Sequence, residues 1–162
     1  LASVRADSRS AISDVRRLVD DLRPAALDEL GLVGALRRRA EQTSWRADGA
    51  PIRVVLDAPD GLTDLPAAVE VAAYRIATEA LTNVLRHSDA MQAVVTVRCG
   101  TTLDVDVLDD GLRRNGEWTA GIGLQAMRER VAELGGGFQA GPSRQGGRVS
   151  ASLPLHHARH RA

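Results

Sequence analysis

The 162-residue chain balances 21 basic side chains, all arginine, against 21 acidic ones, so no net field favours nucleic acid or an anionic membrane. Hydrophobic residues make up 44% and aromatics 2%, which excludes a disordered chain and requires a core of Ala, Val, Leu and Ile. A single cysteine, Cys99, excludes intramolecular disulfides and cysteine-rich metal sites and fits a reducing compartment.

Residues 1–23 read as a helix. Val4, Ala11 and Leu18 form one seam and Ser8, Val15 and Leu22 a second, widened by Ile12 and Val19, the near-heptad pattern of a helix that packs on partner helices. Arg23-Pro24 ends it, because the residue before proline disfavours helical backbone. The chain starts inside this pattern, without Met, and is expected to be part of something longer. Leu27 to Thr43 is expected to be a second helix, with Asp28 or Glu29 near its start and Arg37, Arg38 and Arg39 near its end. Asp48-Gly49-Ala50-Pro51 is a turn, Ile52 to Leu56 a strand, and Asp60-Gly61 a further turn.

The next helix is the one around which the chain is organised. Pro66 suits its first turn, and Asp64 is a candidate cap. Val69, Ala73, Ile76, Ala77, Ala80 and Val84 recur at helical spacing and form an apolar stripe. At roughly 100° per residue, Glu79, Asn83 and Arg86 fall on a different face, a carboxylate, an amide and a guanidinium in one line. Such a line can hold a metal ion on oxygen and a phosphate on the guanidinium, or it is a plain solvated stripe.

Ala93 to Val97 and Leu103 to Val107, joined by Cys99-Gly-Thr-Thr102, read as an antiparallel pair, with Cys99 packed at a strand end as a small hydrophobe. Leu103, Val105 and Val107 point one way and Asp104 and Asp106 the other, so one face of the sheet is solvated. The second strand ends in Asp109-Asp110-Gly111. A carboxylate at a strand end beside a flexible loop can accept a base's exocyclic N–H. A hairpin turn is the other reading, yet residues 112–120 are polar and supply no second strand. Gly121-Ile-Gly123-Leu124 opens a helix through Leu134, where glycines let backbone N–H groups approach phosphate, and Gly135-Gly136-Gly137 stops it. Phe138 to Ala140 and Arg148 to Leu153 are the last strands, with Gly146-Gly147 as their turn. The histidine-containing tail 156–162 is given no role.

Glu79-x-x-x-Asn83, Asp109-x-Gly111 and Gly121-x-Gly123 together resemble the Bergerat ATP-binding fold shared by gyrase, Hsp90, MutL and histidine kinases. Three stretches narrow the likeness: Leu22 to Leu32, Tyr74 to His87, and Gly123 to Val131 with its Leu134-Gly-Gly ending. They resemble two-component sensor histidine kinases of the nitrate-sensor and DesK-like branch. The implied fold is α+β: a mixed, largely antiparallel sheet covered on one face by helices, with an N-terminal dimerisation-type helix. The implied organisation is 1–26 as part of a dimerisation module, 27–155 as the ATP-binding domain, and 156–162 as a disordered tail.

The same resemblance implies the site. Asn83 would coordinate Mg²⁺, with Glu79 orienting the metal or its water, and these two are the candidate catalytic residues. Arg86 and His87 would face the ATP phosphates, although His87 also reads as a helix-end histidine. Asp109 would accept the adenine amino group, and Gly111 would leave room for the ring. Gly121 and Gly123 would bring backbone donors to the phosphates, with Leu124 beside them. The family's further glycine two residues past Asp-x-Gly is replaced by Arg113, and the loop is short, so Arg113 or Arg114 is a candidate phosphate contact.

A phosphoacceptor histidine is not apparent; His87, His156, His157 and His160 are not placed to serve. The expectation is a cytoplasmic histidine kinase catalytic part that binds ATP and Mg²⁺ and phosphorylates a histidine upstream. It would act as a homodimer with a response regulator of the LuxR DNA-binding type, binding no nucleic acid itself. The full protein's membrane attachment is left open, since no run in this sequence reaches the roughly 18 apolar residues that span a bilayer. The competing readings are a related serine kinase of the anti-sigma type, an ATPase, or a degenerate module for dimerisation or docking.

Overall fold

The computed structural model describes residues 23–112 and 121–155. The expected dimerisation-type helix, Arg113, Arg114 and the histidine tail lie outside the described residues. The elements run α1 (Ala25–Glu41), β1 (Arg53–Asp57), α2 (Ala67–His87), β2 (Gln92–Cys99), β3 (Thr102–Asp109), α3 (Ile122–Glu133), β4 (Gly137–Pro142) and β5 (Gly147–Pro154).

The five strands form one sheet in the order β1-β2-β3-β5-β4. Only β1 and β2 pair in parallel; the other three pairings are antiparallel. Alternation decides the faces. Val95, Val107 and Val149 stand in register across three strands and are buried, as are Leu103 and Leu153. The opposite face carries Asp104 paired with Ser152 and Asp106 with Ser150, and all four touch solvent. The three described helices therefore lie on one face: α1 beside β1, α2 over β3 and β5, and α3 over β4 and β5.

The apolar stripe of α2 is buried throughout: Val69, Ala73, Ile76, Ala77, Ala80 and Val84. Four of its buried residues, Ala72, Ala73, Ala77 and Ala80, are alanine, which lets the helix lie close on the sheet. Thr78 and Thr82 donate their hydroxyls back to the carbonyls of Tyr74 and Thr78, each at 2.9 Å, so their polar atoms are satisfied inside the helix. Glu70 in the first turn and Arg86 and His87 in the last complement the helix dipole. The Arg23 guanidinium pairs with Asp28 and Glu70, joining the start of α1 to the start of α2.

Three expectations change. The helix foreseen over Leu27 to Thr43 starts earlier and is broken at Gly31, whose φ of 63° and ψ of −179° suit only glycine. Asp64 does not cap α2. Pro66 is the N-cap residue, no side chain bonds the first turn, and Asp64 sits at φ 60° beside the Thr63 hydroxyl. Cys99 does end β2, but it is exposed, not packed. Its alternation matches the buried Ala93, Val95 and Val97, yet the strand stops there at the exposed Gly100-Thr101 turn, where its side chain meets solvent. No described helix is long and apolar enough to cross a membrane.

Candidate functional site

Asp109 is the last residue of β3 and, at 2% exposure, the one buried carboxylate among the described residues. Strand alternation carries it to the helix side of the sheet. Its neighbour Asp110 faces away and accepts the backbone N–H groups of Met91 and Gln92 at 2.8 and 2.9 Å, closing the start of β2. Asp109 Oδ1 accepts the Ser88 hydroxyl at 2.7 Å and the Gly111 N–H at 3.0 Å. Oδ2 accepts no hydrogen bond among the described residues.

Asp109 lines a small, shallow pocket that opens to solvent. Ala80, Asn83 and Val84 of α2 form one wall, Val107 and Asp109 of β3 the floor, and Gly147 to Val149 of β5 the other side. The pocket is therefore apolar on its flanks, with a carboxylate and an amide converging in it, the usual composition of a small-molecule site. Asn83 is half-buried, and its side chain makes no hydrogen bond among the described residues.

Glu79, one turn before Asn83, is half-buried against the start of α3, where a Cβ added at Gly123 would collide with its Oε1. Gly121 caps α3 without a side-chain hydrogen bond, and no acidic residue lies in the helix's own first turn. Among the described residues no side chain bonds its first N–H groups, which could receive an anion. Leu124 is half-buried against the hydrophobic core. Arg86 and His87 are exposed in the last turn of α2 and do not line the pocket. Among the described residues no three His, Cys, Asp or Glu side chains gather into a metal-holding group.

Two contributors carry no local signal in the sequence. Ser88 follows His87 and reads as an ordinary helix end; only the fold brings it to Asp109. Gly146 reads as a turn, but at φ 148° it passes so close to the Asp109 carbonyl that any Cβ would strike it. Behind the site, Arg46 bonds Asp48 and donates to the Ala90 carbonyl at 2.6 Å. The Arg46 hydrogen bonds hold the Asp48 carboxyl below the usual carboxylate range, and Asp48 in turn raises the Arg46 pKa.

A mixed, largely antiparallel sheet with helices on one face, and a pocket between the central helix and a strand-end Asp-x-Gly, define a module of the GHKL or Bergerat type. No protein-family profile matches the chain. It is 35% identical over 151 residues to the sensor histidine kinase MctS of Rhizobium johnstonii. It is 32% identical over 156 residues to the sensor histidine kinase NarS of Mycobacterium tuberculosis and 33% over 159 to YxjM of Bacillus subtilis, also a sensor histidine kinase. These alignments take in 89, 91 and 96% of the chain but only 32, 35 and 37% of the relatives, so it spans about a third of their length. The histidine kinase domain of the blue-light activated kinase of Erythrobacter litoralis superposes with a TM-score of 0.60 at 26% identity, over 81% of this chain and 69% of that one. The Acinetobacter baumannii histidine kinase AdeS, at 13% identity and a TM-score of 0.53, shares the fold. The chain is accordingly a histidine-kinase-family domain of the GHKL type.

Proposed function

We propose that this chain is the ATP-binding catalytic part of a sensor histidine kinase, transferring the γ-phosphoryl group of Mg-ATP to a histidine outside this chain. The observation that carries the reading is Asp109. It is a buried carboxylate on the floor of a largely apolar pocket, with one oxygen occupied and the other without a protein partner among the described residues.

Oδ2 of Asp109 would accept the adenine amino group. The space beside Asp109 and Asn83 opens to solvent, and the phosphates would extend past Asn83. Asn83 and Glu79 would hold Mg²⁺ jointly with phosphate oxygens and water, as suits an ion that keeps much of its hydration and needs no all-protein cage. The N-terminus of α3 would receive a phosphate, Arg86 would add positive charge at the far end of α2, and His87 would offer a ring N–H beside it. ATP supplies the phosphoryl group for an in-line transfer, and the chain supplies orientation and charge neutralisation.

The homodimer, the upstream acceptor helix and a response regulator as onward acceptor are part of the same proposal. They are supported by the names of the relatives as sensor kinases. The nitrate-sensor and DesK-like branch, and with it a LuxR-type regulator, rests on the motif likeness alone. The test is labelling of a longer protein carrying this chain with ATP radiolabelled on its γ-phosphate. An acid-labile, base-stable label on histidine, lost in Asn83→Ala, is expected. A label on serine, or none from a folded protein that binds ATP, contradicts the reading.

A further inference from the structure

The Ser88 hydroxyl is fixed from both sides. The Ala90 N–H donates to Ser88 Oγ at 3.1 Å, which occupies one lone pair of the hydroxyl oxygen. The hydroxyl's own proton goes to Asp109 Oδ1 at 2.7 Å, a short charge-assisted bond. Ala90 is itself held one peptide further on, because Arg46 donates to the Ala90 carbonyl at 2.6 Å. Gly111 completes the arrangement. Its N–H shares Asp109 Oδ1, and a Cβ on it would collide with Ser88 Oγ and lie 2.8 Å from Asp109 Oδ1. The glycine of Asp-x-Gly thus leaves room for a serine–aspartate bond, not only for a ligand.

We propose that Ser88 is a positioning residue for base recognition: together with the Gly111 N–H it spends Asp109 Oδ1 within the protein and so reserves Oδ2 for the exocyclic amino group of the purine. This inference rests on the nucleotide reading of the pocket. A carboxylate free to rotate would present either oxygen at any angle. A carboxylate pinned through one oxygen presents the other in a single direction, and a site built to accept one N–H discriminates against a ligand lacking it. Ser88 touches no ligand in this scheme and acts through Asp109.

The experiment compares calorimetric affinities for Mg-ATP and for the Mg complex of purine riboside triphosphate, which lacks the 6-amino group, on the 162-residue chain. Wild type is expected to prefer ATP. Ser88→Ala is expected to weaken ATP about fivefold, one hydrogen bond's worth, while moving the purine analogue less than about twofold. The preference for ATP therefore shrinks. Ser88→Thr, which keeps the hydroxyl, is expected to restore it. Should Ser88→Ala fail to fold, Ser88→Cys, of similar shape but a weak donor, takes its place with the same expected narrowing. Equal loss of both ligands, or an unchanged preference, overturns the positioning role while leaving the nucleotide reading intact. A folded wild type that binds neither ligand overturns the nucleotide reading itself, and this inference with it.

Discussion

Glu79 lies directly against Gly123: a side-chain carbon added at Gly123 would run into Glu79 Oε1 and stand 3.4 Å from its carboxyl carbon. The carboxylate therefore sits at the uncapped first turn of α3, where negative charge is favoured and where a phosphate would also bind. Metal-free ATP would meet a like charge there, and Mg²⁺ would turn the same carboxylate into a ligand.

The expected consequence is a change in metal dependence. Glu79→Gln should bind ATP in EDTA several-fold more tightly than wild type and lose most of the gain that Mg²⁺ brings. Gly123→Ala should act in the same direction, because the atom it displaces is the far end of a flexible side chain. Its stability should change little or rise, since alanine outranks glycine within a helix by up to about 1 kcal/mol. Titrations with and without Mg²⁺ check both. An unchanged ratio of the two affinities in Glu79→Gln would show that its charge does not act on the phosphates.

Asp109 has a structural role beside its proposed recognition role, and two substitutions separate them. Asp109→Ala leaves the Ser88 hydroxyl and the Gly111 N–H without their acceptor in a buried place, an expected loss of about 1–3 kcal/mol in urea denaturation. Asp109→Asn retains an oxygen for both donors and should keep most of that stability. Its NH₂ group would then confront the adenine amino group, and ATP binding should fall at least about tenfold. Equal ATP affinity in Asp109→Asn and wild type would refute the base contact.

Gly146 and Gly141 lie on the same hairpin and should respond differently to alanine. Gly146 has a φ of 148° and a Cβ there would strike the Asp109 carbonyl, which is backbone and cannot swing aside. An added Cβ at Gly141 meets nothing within 4 Å. Gly146→Ala should cost about 1–3 kcal/mol and disturb the pocket, whereas Gly141→Ala should be nearly neutral. Paired thermal or urea unfolding curves decide it.

The pH dependence has a defined sign at the sheet's far end. The Arg98 guanidinium bonds Asp57 between β2 and β1 and lowers the Asp57 pKa from its ordinary 3.8. A lowered carboxylate pKa stabilises above the unfolded value and loses that stabilisation as pH falls through the folded value. The contribution is therefore full at neutral pH and fades below about pH 4. It is small, because both side chains are half-exposed and screened by salt. Asp57→Asn should flatten this part of the stability profile between neutral pH and about pH 3 in low salt and make little difference in high salt.

The helical period of Val69 to Val84 and the alternation of Leu103 to Val107 were legible because each pattern reports directly which side chains face the core. The same alternation placed Asp104 and Asp106 outside; the strand runs on to Asp109 in the structure, which carries that carboxylate inside. Depth was not legible. Cys99 has the parity of a core residue yet ends its strand in solvent, since parity does not say where the helix layer stops. Nor was Gly31 readable as a break, because a lone glycine in a helical pattern is usually tolerated. The Asn83 and Asp109 pairing at one pocket follows from the motif likeness, but Ser88 and Gly146 reach Asp109 only through the β2–β3–β5 register, which carries no local signal.

The most direct measurement is calorimetric titration of the 162-residue chain with ATP, with and without Mg²⁺, beside Asn83→Ala and Asp109→Asn. Saturable binding that requires Mg²⁺ and weakens at least about tenfold in each folded variant is the expected result. A folded wild-type chain that takes up no Mg-ATP, or one whose binding is indifferent to both substitutions, contradicts the assignment of this pocket to a nucleotide.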